Sequence, residues 1–142
     1  MLGELDSTIS VFGTSTEGIF GGTGQRIGTL PTGFAGRNDA AEIAIHPQGK
    51  FLYASNRGRD SIAIFGIDSD GGNLTPVAEI LTGGKEPRHF AIDSAGRFLL
   101  AENQLSDNIV EFRIDATTGK LTLSGEIITV PSPVCLVSVP LK

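Results

Sequence analysis

The stretch Ala44-Ile45-His46-Pro47-Gln48-Gly49-Lys50-Phe51-Leu52-Tyr53-Ala54-Ser55-Asn56 returns 47 residues later as Ala91-Ile92-Asp93-Ser94-Ala95-Gly96-Arg97-Phe98-Leu99-Leu100-Ala101-Glu102-Asn103. The match continues through Asp60/Asp107, Ile62/Ile109, Phe65/Phe112, Ile67/Ile114, Gly72/Gly119, Leu74/Leu121, Glu79/Glu126 and Thr82/Thr129. Self-similarity at one fixed period marks a repeat architecture, in which each copy is a supersecondary unit that cannot bury its apolar faces alone. Within a copy, short apolar runs alternate with turn signals. Glu42 to His46 and Phe51 to Ser55 flank the turn Pro47-Gln48-Gly49-Lys50, and Asp60 to Ile67 and Leu74 to Thr82 flank Asp68-Ser69-Asp70-Gly71-Gly72-Asn73. The second copy turns at Asp93-Ser94-Ala95-Gly96 and at Asp115-Ala116-Thr117-Thr118-Gly119. No window carries a sustained i, i+3, i+4, i+7 apolar stripe, so almost no helix is expected.

Four short antiparallel strands per repeat define an all-β fold built from β-propeller blades. Residues 39–86 and 87–133 each make a full blade. Residues 1–38 hold an incomplete one: Thr8 to Phe12 parallels Ile62 to Phe65, Arg26 to Leu30 is an outer strand, and a Gly-rich loop, Gly18 to Gly24, lies between. That loop has no following Lys and no strand-to-helix setting, so it is read as a plain loop and not as a phosphate cradle. Residues 134–142 open a further blade, with Val134 to Val139 as its first strand. Closed propellers have typically about 4 to 8 blades, so about three blades do not close a ring.

The composition agrees. Glycine takes 19 of 142 positions, about 13% against an average near 7%, as turn-rich β-structure requires. With 11 Lys and Arg against 16 Asp and Glu, the net charge of −5 and the absence of a basic cluster argue against nucleic acid as a partner. The N-terminus lacks the basic and apolar regions of a signal peptide, and no apolar run reaches the roughly 18 residues of a membrane span, so a soluble, cytoplasmic product without membrane association is expected. The one Cys, Cys135, sits in the apolar run Val134 to Val137 and is read as a buried thiol. Neither a metal-ligand cluster nor a nucleophile elbow is present, and no cofactor is implied.

Four segments, Glu4-Leu5-Asp6-Ser7-Thr8, Ala41-Glu42-Ile43 with His46-Pro47-Gln48-Gly49, Ser55-Asn56-Arg57-Gly58, and Pro87-Arg88-His89-Phe90-Ala91-Ile92-Asp93, resemble the C-terminal part of the seven-bladed propeller lactonases. This is the group of bacterial-type 6-phosphogluconolactonase and fungal muconate-lactonizing enzyme. The resemblance covers essentially the whole chain, with Gly3 standing where the family usually has Asn. Family members run well over twice this length. The resemblance implies that Glu4 and Arg57 line an active site, and that the other site residues, a His and an Arg on earlier blades, have no counterpart here.

Topology sorts the remaining polar residues. In an up-and-down blade, the start of the innermost strand and the turn after the second strand share one face. Glu4, Arg57 and Gln104 hold one repeat position in three successive blades and should surround one mouth, together with Asn56, Arg88, His89 and Asn103. Glu4 and Arg57 are expected to be catalytic, and Arg88, Asn56 and Gln104 substrate-binding; a plain inter-blade ion pair between Glu4 and Arg57 stays open. His46 falls on the opposite face as a structural residue, and His89 is also read as structural. For a lactone, a carboxylate would activate water and a guanidinium would face the oxyanion or an anionic substituent.

The function expected is lactone hydrolysis of the 6-phosphogluconolactonase type. The alternatives are a muconate-type lactonizing activity on a polycarboxylate, or a non-catalytic propeller piece that assembles with other copies. With half of the implied site absent, little or no lactonase activity is expected of the isolated chain, and its uncovered blade faces should drive self-association.

Overall fold

The computed structural model describes residues 1–14 and 20–138. It contains three antiparallel sheets, each a meander of sequence neighbours. Blade I joins β1 (Leu2–Gly3), β2 (Thr8–Thr14) and β3 (Phe20–Gly28). Blade II joins β4 (Asp39–Ile45), β5 (Phe51–Arg57), β6 (Ser61–Ile67) and β7 (Leu74–Leu81). Blade III joins β8 (Pro87–Ile92), β9 (Phe98–Asn103), β10 (Asn108–Ile114) and β11 (Leu121–Thr129), with one 3-10 turn at Gln104–Ser106. The sheets do not close on themselves.

The period-2 alternation of β5 and β6 explains the stacking. Leu52, Ala54, Ala63 and Phe65 face blade I, where they pack on Ile9. The intervening Phe51, Tyr53, Ile62 and Ile64 face blade III, where they meet Phe90, Leu99, Val110 and Phe112. Because successive side chains point to opposite faces, a strand sandwiched between two sheets is apolar throughout. Accordingly Phe51 to Asn56 is buried without a break. Burying each such aromatic or branched side chain contributes roughly 1.5–3 kcal/mol.

The β1–β2 turn of blade I and the equivalent β5–β6 and β9–β10 turns of blades II and III each pass through a left-handed residue, Ser7 (φ 51°), Asp60 (φ 56°) or Asp107 (φ 54°), and short polar side chains tolerate that region best among non-glycines. The carbonyl oxygens of the three accept N–H bonds from Thr29, Thr82 and Val130, tying the end of each outer strand to the same turn.

Three local expectations are corrected. From Phe20 onward the glycine-rich segment is strand, since Gly21 to Gly24 belong to β3; Gly18 lies outside the described residues. Val134 to Ser138 form no strand, because this segment has no neighbouring sheet to ladder with, and Val139 lies outside the described residues. For the same reason the Cys135 thiol is exposed and not buried: no second strand covers it.

Candidate functional site

A cleft of about 410 Å³ opens where the three blades converge, at the end that carries the left-handed turns. Glu4 enters it from blade I, Ala41, Glu42 and Arg57 from blade II, and Arg88 and His89 from blade III, with Val134 and Cys135 at its edge. Both innermost strands are bulged there: the pairing register shifts between Ala40 and Ile43 in β4 and between Pro87 and His89 in β8. A bulge adds one residue to a strand and re-aims its side chains. Its recurrence one repeat apart is what brings Ala41, Glu42, Arg88 and His89 to the cleft.

Glu4 and Arg57 form an ion pair across the seam between blades I and II. Arg57 is largely buried, at 12% side-chain exposure, while Glu4 is 59% exposed. The guanidinium also lies 4.0 Å from Glu86, and its Nε is buried with no partner. The pair therefore satisfies part of Arg57 and leaves one donor unused. Arg88 differs: it is exposed on the wall of the cleft and has no ion pair among the described residues.

Two of the expected substrate-binding residues are elsewhere. Asn56 is fully buried between blades I and II. Its Oδ1 accepts from Thr29 Oγ1 at 2.7 Å and Asn38 Nδ2 at 3.1 Å, and its Nδ2 donates to the Thr29 carbonyl at 3.0 Å. No donor or acceptor of Asn56 is left for a ligand, and it is a seam residue. Gln104 shares the repeat position of Arg57 but starts the 3-10 turn, because β9 ends one residue earlier than β5. Its amide donates to the Glu86 carbonyl at 3.0 Å, outside the cleft.

The structure also brings Glu42 and Glu102 to the site, around His89, which the sequence places at this mouth as a structural residue. His89 Nδ1 lies 2.9 Å from Oε1 of Glu102, which is fully buried, and His89 Nε2 lies 3.4 Å from Glu42 Oε2. Glu42 and His89 are 47 residues apart and so occupy one repeat position. The comparison that singled out Glu4, Arg57 and Gln104 would have found them too. His46 holds the opposite end. Its Nε2 lies 2.8 Å from the Gly96 carbonyl, and the Gln48 amide donates to its Nδ1 at 3.2 Å.

The chain matches the family described as "Lactonase, 7-bladed beta-propeller" over residues 1–138. It is 39% identical over 87 residues to a 6-phosphogluconolactonase of Serratia proteamaculans, a match covering 61% of this chain and 26% of that protein. Among solved structures, the Pseudomonas aeruginosa periplasmic gluconolactonase PpgL superposes with a TM-score of 0.89 at 34% identity, covering 96% of this chain and 38% of that one. A Lactobacillus plantarum protein superposes with a TM-score of 0.89 at 38% identity, covering 94% of this chain and 39% of that one. The matched three fifths of the chain spans about a quarter of the length of the curated relatives, and nearly the whole chain spans about two fifths of the solved structures. Three stacked blades, the Glu4–Arg57 pair at their mouth and the match over residues 1–138 lead to one conclusion: the chain belongs to the seven-bladed β-propeller lactonase family.

Proposed function

We propose that this cleft is one wall of a lactone-hydrolysing site whose substrate carries an anionic group, a sugar-phosphate lactone such as 6-phosphogluconolactone. The observation that carries the reading is the largely buried Arg57 guanidinium, held against Glu4 on the wall of the cleft. Attack of water on the lactone places negative charge on the former carbonyl oxygen, and a fixed guanidinium donor in a partly water-excluded position stabilises that charge. The exposed Glu4 carboxylate takes a proton from the attacking water. Arg88 offers a two-pronged fork to phosphate or carboxylate without first breaking an ion pair. The similarity to a 6-phosphogluconolactonase and to a gluconolactonase supports a sugar lactone over a muconate.

The test is equilibrium binding of the product, 6-phosphogluconate, to the chain and to Arg57→Ala and Arg88→Ala, with lactone opening followed in parallel. Saturable binding that Arg57→Ala abolishes and Arg88→Ala weakens about tenfold or more is expected; losing a charge-assisted hydrogen bond costs about 1.5–3 kcal/mol. Turnover is expected to be slow and to disappear in Glu4→Ala. Binding that ignores both arginines would refute the reading.

A further inference from the structure

The three groups Glu42, His89 and Glu102 have no assigned part in the scheme above, yet their geometry is specific. Glu102 is fully buried in β9, and its Oε2 has no hydrogen-bond partner. A buried carboxylate with an empty oxygen costs several kcal/mol unless its charge is strongly compensated. The compensation in view is the His89 imidazole, 2.9 Å from the other oxygen. An ionised carboxylate only accepts, so Nδ1 of His89 carries a proton and donates it to Glu102. The Leu136 amide also points at this nitrogen, at 3.5 Å, and the much shorter 2.9 Å contact to Glu102 decides the assignment.

That assignment fixes the role of the second nitrogen. Nε2 lies on the cleft side, 3.4 Å from Glu42 Oε2. A bare Nε2 lone pair facing a carboxylate oxygen is repulsive, and a proton between them turns the contact favourable. Glu42 is itself held in place, its Oε1 accepting from the Ile43 amide at 2.9 Å and its own amide donating to Ser55 Oγ at 3.0 Å. The imidazole therefore sits between two carboxylates, one buried and one at the cleft, with Nε2 on the side open to a ligand.

We infer that His89 is the general acid of this site, delivering its Nε2 proton to the ring oxygen as the lactone opens, with Glu102 as the residue that positions it and Glu42 as the partner that holds the proton beforehand. The inference rests on the lactonase reading and divides the chemistry between blades. Water, deprotonated by Glu4 on blade I, forms the new bond to the carbonyl carbon, and the oxyanion faces Arg57 on blade II. The ring C–O bond then breaks with its electron pair going to the ring oxygen, which takes the proton from His89 on blade III. Glu4 loses its proton to solvent and His89 regains one from solvent, so one water is consumed and no other reactant is required. Protonating the leaving oxygen matters because an alkoxide is a poor leaving group, and a positioned acid contributes typically about 10²–10⁴-fold.

The chain has 2 histidines, and they serve as each other's control. His46 must be protonated on Nε2, since a carbonyl accepts there and an amide donates to Nδ1. Nitrogen-15 NMR of the histidine-labelled chain should therefore show the neutral Nε2–H tautomer for His46 and protons on both ring nitrogens for His89. Glu102→Leu, which removes the acceptor while filling its volume, should strip one proton from His89 and leave His46 unchanged. Titration with 6-phosphogluconate should move the His89 Nε2 resonance saturably without moving His46. In turnover, His89→Asn should lower kcat about 100-fold with KM within about threefold, as loss of proton transfer alone requires. A ligand that binds and shifts Glu4 and Arg57 amides but not His89, or His89→Asn with unchanged kcat, overturns the proton role and leaves the lactonase reading standing. A chain that binds no 6-phosphogluconate at all overturns both.

Discussion

The two ends of this blade stack each carry one histidine, and they use it oppositely. At the end away from the cleft, His46 is 1% exposed, bonded through both ring nitrogens, and packed edge-on against Phe51 with ring centroids 6.2 Å apart. The same end holds the fully buried Tyr53, whose hydroxyl donates to the Gly119 carbonyl at 2.8 Å and which burial pushes well above its ordinary pKa. Everything there is satisfied by contacts between blades II and III. At the cleft end, Arg57 Nε and Glu102 Oε2 are buried without partners, Arg88 is free of ion pairs among the described residues, and His89 is gripped by carboxylates without being enclosed. One end is finished as a joint between blades. The other stores unmet hydrogen-bonding capacity, which folding alone does not reward.

The largest effect should follow from breaking the joint. Gly96 has φ +68°, and a Cβ built on it would stand 2.4 Å from His46 Nε2. Gly96→Ala then adds left-handed strain of roughly 1–2 kcal/mol to the loss of a buried hydrogen bond worth about 1–3 kcal/mol. A stability loss of about 3 kcal/mol is expected, read as a lower urea midpoint at unchanged m-value. Arg88→Ala at the cleft should cost under about 1 kcal/mol in the same assay, since that side chain is exposed and has no ion pair among the described residues. Equal losses at the two ends would dissolve the contrast.

A finer version separates two neighbours in sequence. Asn56→Ala removes the acceptor shared by Thr29 Oγ1 and Asn38 Nδ2 and the donor to the Thr29 carbonyl in the seam between blades I and II, and should destabilise by about 2 kcal/mol. Arg57→Ala removes a pair whose other member is mostly exposed, and should shift stability by less than about 1 kcal/mol while affecting ligand binding most. The structural assignment of Asn56 fails if its replacement leaves stability intact but weakens ligand binding.

These pairs also show what a single sequence can carry. The alternation in Phe51 to Asn56 and the 47-residue repeat are periodic signals, so the blades and their turns were legible directly from the residues. Glu4 and Arg57 were legible as positions where the repeat keeps its framework and changes its charge. Glu42 and His89 obey the same rule one strand earlier. Their significance depends on how closely the bulged strands β4 and β8 approach, which is a property of packing between sheets. Asn56 was misplaced because adjacent residues on a strand point to opposite sides, and the sequence motif containing both does not say which side is the seam. Cys135 was misread for the converse reason: an apolar run is buried only where a neighbouring sheet covers it.

The smallest expected effect is electrostatic, and it too divides between the ends. Asp115, in the turn between β10 and β11, is held below the ordinary carboxylate range first by the Thr118 amide, then by the Thr118 hydroxyl and the Thr117 amide. Asp6, in the turn between β1 and β2 near the cleft, is lowered first by its hydrogen bond with Thr8 and further by Arg26. A carboxylate whose folded pKa lies below its unfolded value of about 3.9 stabilises the fold fully above that value. The contribution is lost as pH falls through the folded pKa, so both turns should weaken the protein only in acid, below about pH 4. Asp115→Asn, which keeps an acceptor for the turn but cannot ionise, should flatten the acid limb of stability against pH by lowering the neutral plateau toward the acid value. Both groups are solvent-exposed, so high salt should shrink the Asp6 share through its Arg26 pair and spare the Asp115 share, which rests on uncharged donors. Equal salt sensitivity in Asp6→Asn and Asp115→Asn would show that the ion pair adds nothing beyond local hydrogen bonding at the cleft end.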